Sequence, residues 1–140
     1  MARHDPFVDH LRQDTFFSAC SRKDLRKVAK RSEDRRVAAG TTIVNEGDNG
    51  SEFFVILDGT VSVSRQGRKL ATLGPGSGFG ELALLVDAPR NATVVADTDV
   101  GLVVVGQHEF EGLLDEAPGF VRKMLAGTAH RLREADREAV

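Results

Sequence analysis

Apolar positions follow three successive patterns along the chain. In 1–35 they recur three or four apart, with Phe7, Val8 and Leu11 on one face and Leu25, Val28 and Ala29 on another. Phe16 and Phe17 lie in the connection between them. Asp5 ahead of Pro6 reads as a helix start, and Ser21 with Asp24 three residues on resembles a capping box. Two amphipathic helices are expected here, covering the end of a larger core.

From 36 to 106 the period shortens. Nine of the fourteen glycines fall between Gly40 and Gly80, with short β-favouring runs between them. Strands are expected at 36–39, 42–45, 52–57, 60–65, 69–73, 92–96 and 100–105, with Gly59 and Gly67 marking tight hairpins. Alternation in Val61, Ser62, Val63 and Ser64 puts the valines inward and the serines outward, as a half-exposed antiparallel strand requires. The strand number and spacing suggest an antiparallel sandwich or jelly roll.

Beyond Val105 the helical period returns, with Phe110, Leu113 and Leu114 read as one face and Pro118 opening a second segment. In that segment Val121, Met124, Leu125, Thr128 and Leu132 fall three or four apart. Gly127 in its middle costs about 1 kcal/mol relative to alanine and marks a bend. Leu125, Leu132 and Ala139 with Val121, Thr128 and Ala135 also fit the seam positions of a helix pair, so a homodimer through the C-terminal helix is one expectation. Packing of that helix on its own β-roll is the simpler one.

At 140 residues the chain suits one domain, 1–140. Its expected parts are N-terminal helices at 1–35, a β-roll at 36–106 and C-terminal helices at 107–140. Apolar residues at 41 % and charged residues at 29 % match a globular average, and no apolar run approaches membrane-spanning length. The lone Cys20 cannot form an internal disulfide and MARHDPFVDHLRQ lacks an apolar secretory core, so a cytoplasmic location is expected. The net charge of −2 gives no global pull toward nucleic acid. It is uneven, because Arg22 to Arg36 holds eight Lys or Arg against three Asp or Glu. With no recognition helix following and no interleaved aromatics, this basic stretch reads as a solvated face rather than a nucleic-acid interface.

The chemistry concentrates in LGPGSGFGELALLVDAPRNATVVA, 73–96. Gly76, Gly78 and Gly80 permit positive φ and close backbone approach, and residues 81–85 can form a short helix whose free N–H groups attract an anion. Arg90 adds a planar, permanently charged fork suited to phosphate oxygens, presented by a turn that Pro89 restricts. An ionised Glu81 only accepts hydrogen bonds, so an anion beside it makes sense when the ligand also carries hydroxyl donors, as a sugar phosphate does.

FGELALLVDAPRNATV (79–94) resembles the phosphate-binding cassette of cyclic nucleotide-binding domains, a family that includes the cAMP-dependent kinase regulatory subunits, bacterial cAMP receptor proteins and cyclic nucleotide-gated channels. EGDNGSEFFVILDGTVSV (46–63) is similar to the glycine-punctuated strand pair ahead of that cassette. The resemblance implies a β-roll flanked by helices, with a cassette at 78–91 and a C-terminal lid helix pair whose final helix, from Pro118, moves when ligand enters. It implies that Glu81 accepts from the ribose 2′-hydroxyl, that Arg90 pairs with the cyclic phosphate, and that the amides of Gly80, Leu82 and Ala83 assist. Asn91 stands where family members commonly carry alanine, serine or threonine. The missing hydroxyl tilts base preference toward cAMP over cGMP. The stop at Val140 leaves no downstream DNA-binding, kinase-inhibiting or channel segment, so the expectation is a stand-alone sensor acting on a separate chain.

Other classes fit less well. Glu81 and Arg90 could form a purely structural ion pair in an interaction scaffold, though such a pair would not need Gly78, Gly80 and Ala83 beside it. A metal-binding cupin or a sugar-phosphate enzyme is disfavoured. His4, His10, His108 and His130 lie outside the expected strands, no HxH pair exists, and Glu81 has no partner for acid–base work. No catalytic residue, metal or cofactor is expected.

Overall fold

Helix α1 (Arg22–Arg31) begins where Ser21 Oγ accepts a 3.0 Å hydrogen bond from the Asp24 N–H, as the capping signal predicts. The computed structural model describes residues 21–80, 89–119 and 121–122, so the expected helix around Phe7 to Leu11 lies outside the described residues. The apolar stripe of α1, Leu25, Val28 and Ala29, is fully buried. α1 stops at Arg31, with Ser32 as its extended C-cap.

Among the described residues eight strands follow: β1 (Glu33–Val37), β2 (Thr42–Val44), β3 (Glu52–Asp58), β4 (Val61–Arg65), β5 (Arg68–Leu73), β6 (Gly78–Phe79), β7 (Thr93–Ala96) and β8 (Val100–Gly106). Helix α2 (Gln107–Glu116) ends the series, and helical residues resume at Pro118. The strands form two four-stranded sheets, ordered β1-β8-β3-β6 and β2-β7-β4-β5. Every pairing is antiparallel, which is the jelly roll the strand spacing predicts.

Alternation along β3 and β8 explains why both are apolar without a break. Phe54, Ile56, Leu102 and Val104 face the second sheet and pack with Val61, Phe79, Val94 and Ala96. Phe53, Val55, Val103 and Val105 point the opposite way and pack under Leu25, Val28, Phe110 and Leu113 of the two helices. A central strand covered on both faces has no side left for polar residues. In β4, Val61 is buried and Val63 packs against the inter-sheet core, while Ser62 Oγ meets the Asp97 carboxylate at 2.8 Å.

Four local readings are corrected. The first strand begins at Glu33, inside the stretch expected to be helical, because β8 supplies a backbone partner to a segment of largely charged residues. Its arginines then find carboxylates across the sheet, Arg35 on Glu52 and Arg36 on Asp58. Gly59 does not close a hairpin: β3 and β4 belong to different sheets, and the turn carries the chain around the sandwich corner. A Cβ there would crowd the Asp99 carbonyl. Gly67 does close one, between β4 and β5. Gly78 lies in β6 without positive φ; it is small because a Cβ would sit 2.8 Å from Phe53 Cζ. Leu114 is 48 % exposed, turned away from the buried face of Phe110 and Leu113.

Candidate functional site

Three loops converge on Arg90. Its N–H donates to the Asp48 carbonyl and its own carbonyl accepts from the Gly47 N–H, both at 2.8 Å, beside an isolated bridge between Asn49 and Pro89. The backbone presenting the guanidinium is thereby tied to the turn entering β3. Its side chain runs across Gly50, where any Cβ would overlap the guanidinium. Nη2 donates to the Glu52 carbonyl at 3.0 Å and Nη1 to the Gly80 carbonyl at 3.3 Å. The cation lies 5.8 Å from the centroid of the Phe54 ring, which stacks on Phe79 at 4.9 Å.

Gly80 is required twice over. It adopts φ +85°, and a Cβ would stand 2.8 Å from Arg90 Nη1 and 3.0 Å from the Glu52 carbonyl. Gly76, at φ +90°, similarly shapes the turn before β6, where its N–H donates to the Ile56 carbonyl at 2.7 Å. Gly76, Gly78 and Gly80 thus serve a turn, a close packing contact and a close approach to arginine in that order.

Among the described residues, no carboxylate forms an ion pair with Arg90. The Glu52 carboxylate is turned to Arg35, at 3.1 Å. Burial holds the Arg90 guanidinium below its ordinary pKa, opposed by the charge of Glu52. It remains a cation at neutral pH. A partly buried cation held by neutral carbonyls retains donors for an anion. A cavity of about 540 Å³ adjoins it, bounded by Val44, Asn45, Ser51 and Phe54 among others. That volume lies within the roughly 300–1,000 Å³ of small-molecule sites.

Of the residues singled out from sequence, the structure brings Gly80 and Arg90 together. Asn91 is exposed, and its carbonyl accepts from Arg65 Nε at 2.8 Å. Glu81, Leu82 and Ala83 lie outside the described residues. Gly50, Glu52 and Phe54 were not anticipated as neighbours of Arg90. Their signal was the glycine pair in EGDNGSEFFV, legible as turn punctuation but silent about what the turn would touch. Among the described residues no three His, Cys, Asp or Glu side chains gather as metal ligands, and no helix is long and apolar enough to cross a membrane.

A half-buried cation packed against Gly50 and Gly80, on an antiparallel roll, offers the chemistry an anion would need. Residues 34–117 match the cyclic nucleotide-binding domain, and the chain belongs to that family. It is 31 % identical over 122 residues to a cAMP-dependent protein kinase regulatory subunit of Hypocrea atroviridis, covering 87 % of this chain and 26 % of that one. It is 38 % identical over 97 residues to the Pycsar effector protein XpPycTIR of Xanthomonas perforans, covering 69 % and 32 %. Among solved structures, the catabolite activator protein of Thermus thermophilus superposes with a TM-score of 0.82 at 30 % identity, covering 89 % of this chain and 61 % of that one. A structure described as Sp-2Cl-cAMPS bound to PKAR CBD2 gives 0.85 at 26 % identity, covering 99 % and 92 %. The chain therefore spans about a quarter to a third of the length of these curated relatives.

Proposed function

We propose that this domain binds a purine cyclic nucleotide, cAMP in preference to cGMP, and signals by moving its C-terminal helices. The observation that carries the reading is Arg90, a half-buried cation with no ion-pair partner among the described residues, packed against Gly50 and Gly80. In this reading Arg90 pairs with the cyclic phosphate, aided by the amides of Gly80, Leu82 and Ala83. Glu81 accepts from the ribose 2′-hydroxyl, and Asn91, lacking a hydroxyl, leaves guanine without the partner some family members offer. Two similar structures are described as carrying cAMP or an analogue, and several relatives are named regulatory subunits. The domain accordingly acts by binding, without catalysis, in the cytoplasm, and its output is a changed surface offered to a partner protein. Ligand shifts the helices only by its differential affinity for their two positions.

The protein has eight Phe and neither Trp nor Tyr, so a co-purified purine would dominate its near-ultraviolet spectrum. After unfolding, dialysis and refolding, cAMP and cGMP are titrated by calorimetry into wild type and Arg90→Ala. Saturable heat is expected in wild type, tighter for cAMP. The variant loses about 2–5 kcal/mol, tens to thousands of fold, as for truncation of one partner of a buried charge pair. No heat from stripped, folded wild type would overturn the reading and leave an interaction scaffold.

A further inference from the structure

The hairpin turn between β4 and β5 is hydrogen-bonded both to Glu46, which precedes the Gly47 that bonds Arg90, and to Asn91, which follows Arg90. Gln66 in this turn adopts φ +53°, the one side-chain-bearing residue with positive φ among the described residues. Two-residue hairpin turns of this kind favour Asn, Asp or Gly, since other side chains crowd the backbone in the left-handed region. The Gln66 N–H is donated to Glu46 Oε1 at 2.9 Å, twenty residues earlier in the chain. Glu46 is itself anchored, its N–H donating to Thr93 Oγ1 at 3.0 Å on β7. The next residue, Gly47, donates its N–H to the Arg90 carbonyl. From the other side, Arg65 Nε holds the Asn91 carbonyl at 2.8 Å.

We infer that Glu46 is a positioning residue for Arg90: its carboxylate caps the left-handed Gln66, fixes the hairpin turn against the 46–48 loop, and through Gly47 sets the backbone from which the guanidinium reaches the ligand. The inference rests on the cyclic nucleotide reading of Arg90 and adds a residue that never touches the ligand.

The test uses the full chain as wild type, Glu46→Ala and Glu46→Gln, the last retaining an acceptor oxygen in place. Amide exchange is followed by NMR at Gly47 and Arg90, with the buried Ile56 amide as reference. Exchange about tenfold faster at Gly47 and Arg90 is expected in Glu46→Ala, unchanged at Ile56 and restored in Glu46→Gln. Affinity for cAMP falls about tenfold in Glu46→Ala, recovers in Glu46→Gln, and falls little further when Arg90 is already alanine, measured by ligand-observed NMR at millimolar nucleotide. Unchanged exchange at Gly47 and Arg90 overturns the inference, as does an equal affinity loss in both backgrounds. If wild type binds neither cAMP nor cGMP, the functional reading fails and the exchange data alone decide whether Glu46 holds Arg90. Glu46→Asp, which retracts the acceptor but keeps the charge, gives the same readings should Glu46→Ala unfold.

Discussion

Arg90 and Glu52 meet through the backbone: Arg90 Nη2 donates to the Glu52 carbonyl at 3.0 Å, while the Glu52 carboxylate turns away to Arg35 at 3.1 Å. Strand alternation enforces this division, because a β-strand sends a residue's side chain and its carbonyl in different directions. Among the described residues the arginine is thus oriented by carbonyls and not by an ion pair. Glu52→Gln is therefore expected to leave cyclic nucleotide affinity within about threefold of wild type and to lower stability by under about 1 kcal/mol, since the pair with Arg35 is a third exposed. Calorimetry and urea unfolding of the variant check both. A large loss of affinity would show that the carboxylate, not only the carbonyl, belongs to the site.

Gly50→Ala tests the side-chain path of Arg90. Gly50 lacks positive φ, so a methyl group adds no backbone strain, but it would overlap the guanidinium. Overpacking of this kind costs about 1–3 kcal/mol. Displacement of Arg90 should weaken cAMP binding about tenfold or more with a small fall in melting temperature. Equal binding in Gly50→Ala and wild type would mean the guanidinium has another route.

The role proposed for Glu81 is separable from that of Arg90 by a change in the ligand. Hydrogen bonds to charged groups contribute about 1.5–3 kcal/mol, so Glu81→Ala should lose about ten- to a hundredfold in cAMP affinity. With 2′-deoxy-cAMP, which lacks the donor, wild type and variant should bind alike. An undiminished gap with the deoxy ligand would assign Glu81 a different partner.

Arg31 on α1 pairs with Glu116 on α2 through Nε at 3.0 Å, and this pair tests helix docking by pH. The Arg31 hydrogen bond holds the Glu116 carboxyl below its ordinary value. A carboxyl depressed in the folded state adds stability above its unfolded pKa, and that contribution is lost as pH falls through the folded value. Wild type should therefore exceed Glu116→Gln in urea midpoint at pH 7, with the gap closing on acidification below about pH 4. A gap that does not narrow on acidification would show that packing, rather than the ion pair, distinguishes the two proteins.

Some of this protein was written in local pattern. The cap at Ser21, the buried stripe of α1, the valine and serine alternation of β4 and the unbroken apolar runs of β3 and β8 follow from period and burial, which depend on near neighbours in the chain. The cassette residues Gly80 and Arg90 were legible because left-handed backbone and permanent charge are properties of the residue types themselves. Tertiary structure decided the rest. Period does not reveal that β3 and β4 lie in different sheets, that β1 is recruited by pairing with β8, or that Gly50 is small for the sake of a side chain forty residues away. Each of these depends on which distant segments the closing sandwich brings within van der Waals or hydrogen-bonding reach. The clamp from Gln66 through Glu46 to Arg90 is of that second kind, because the residue type of Glu46 does not tell which distant N–H its carboxylate will meet.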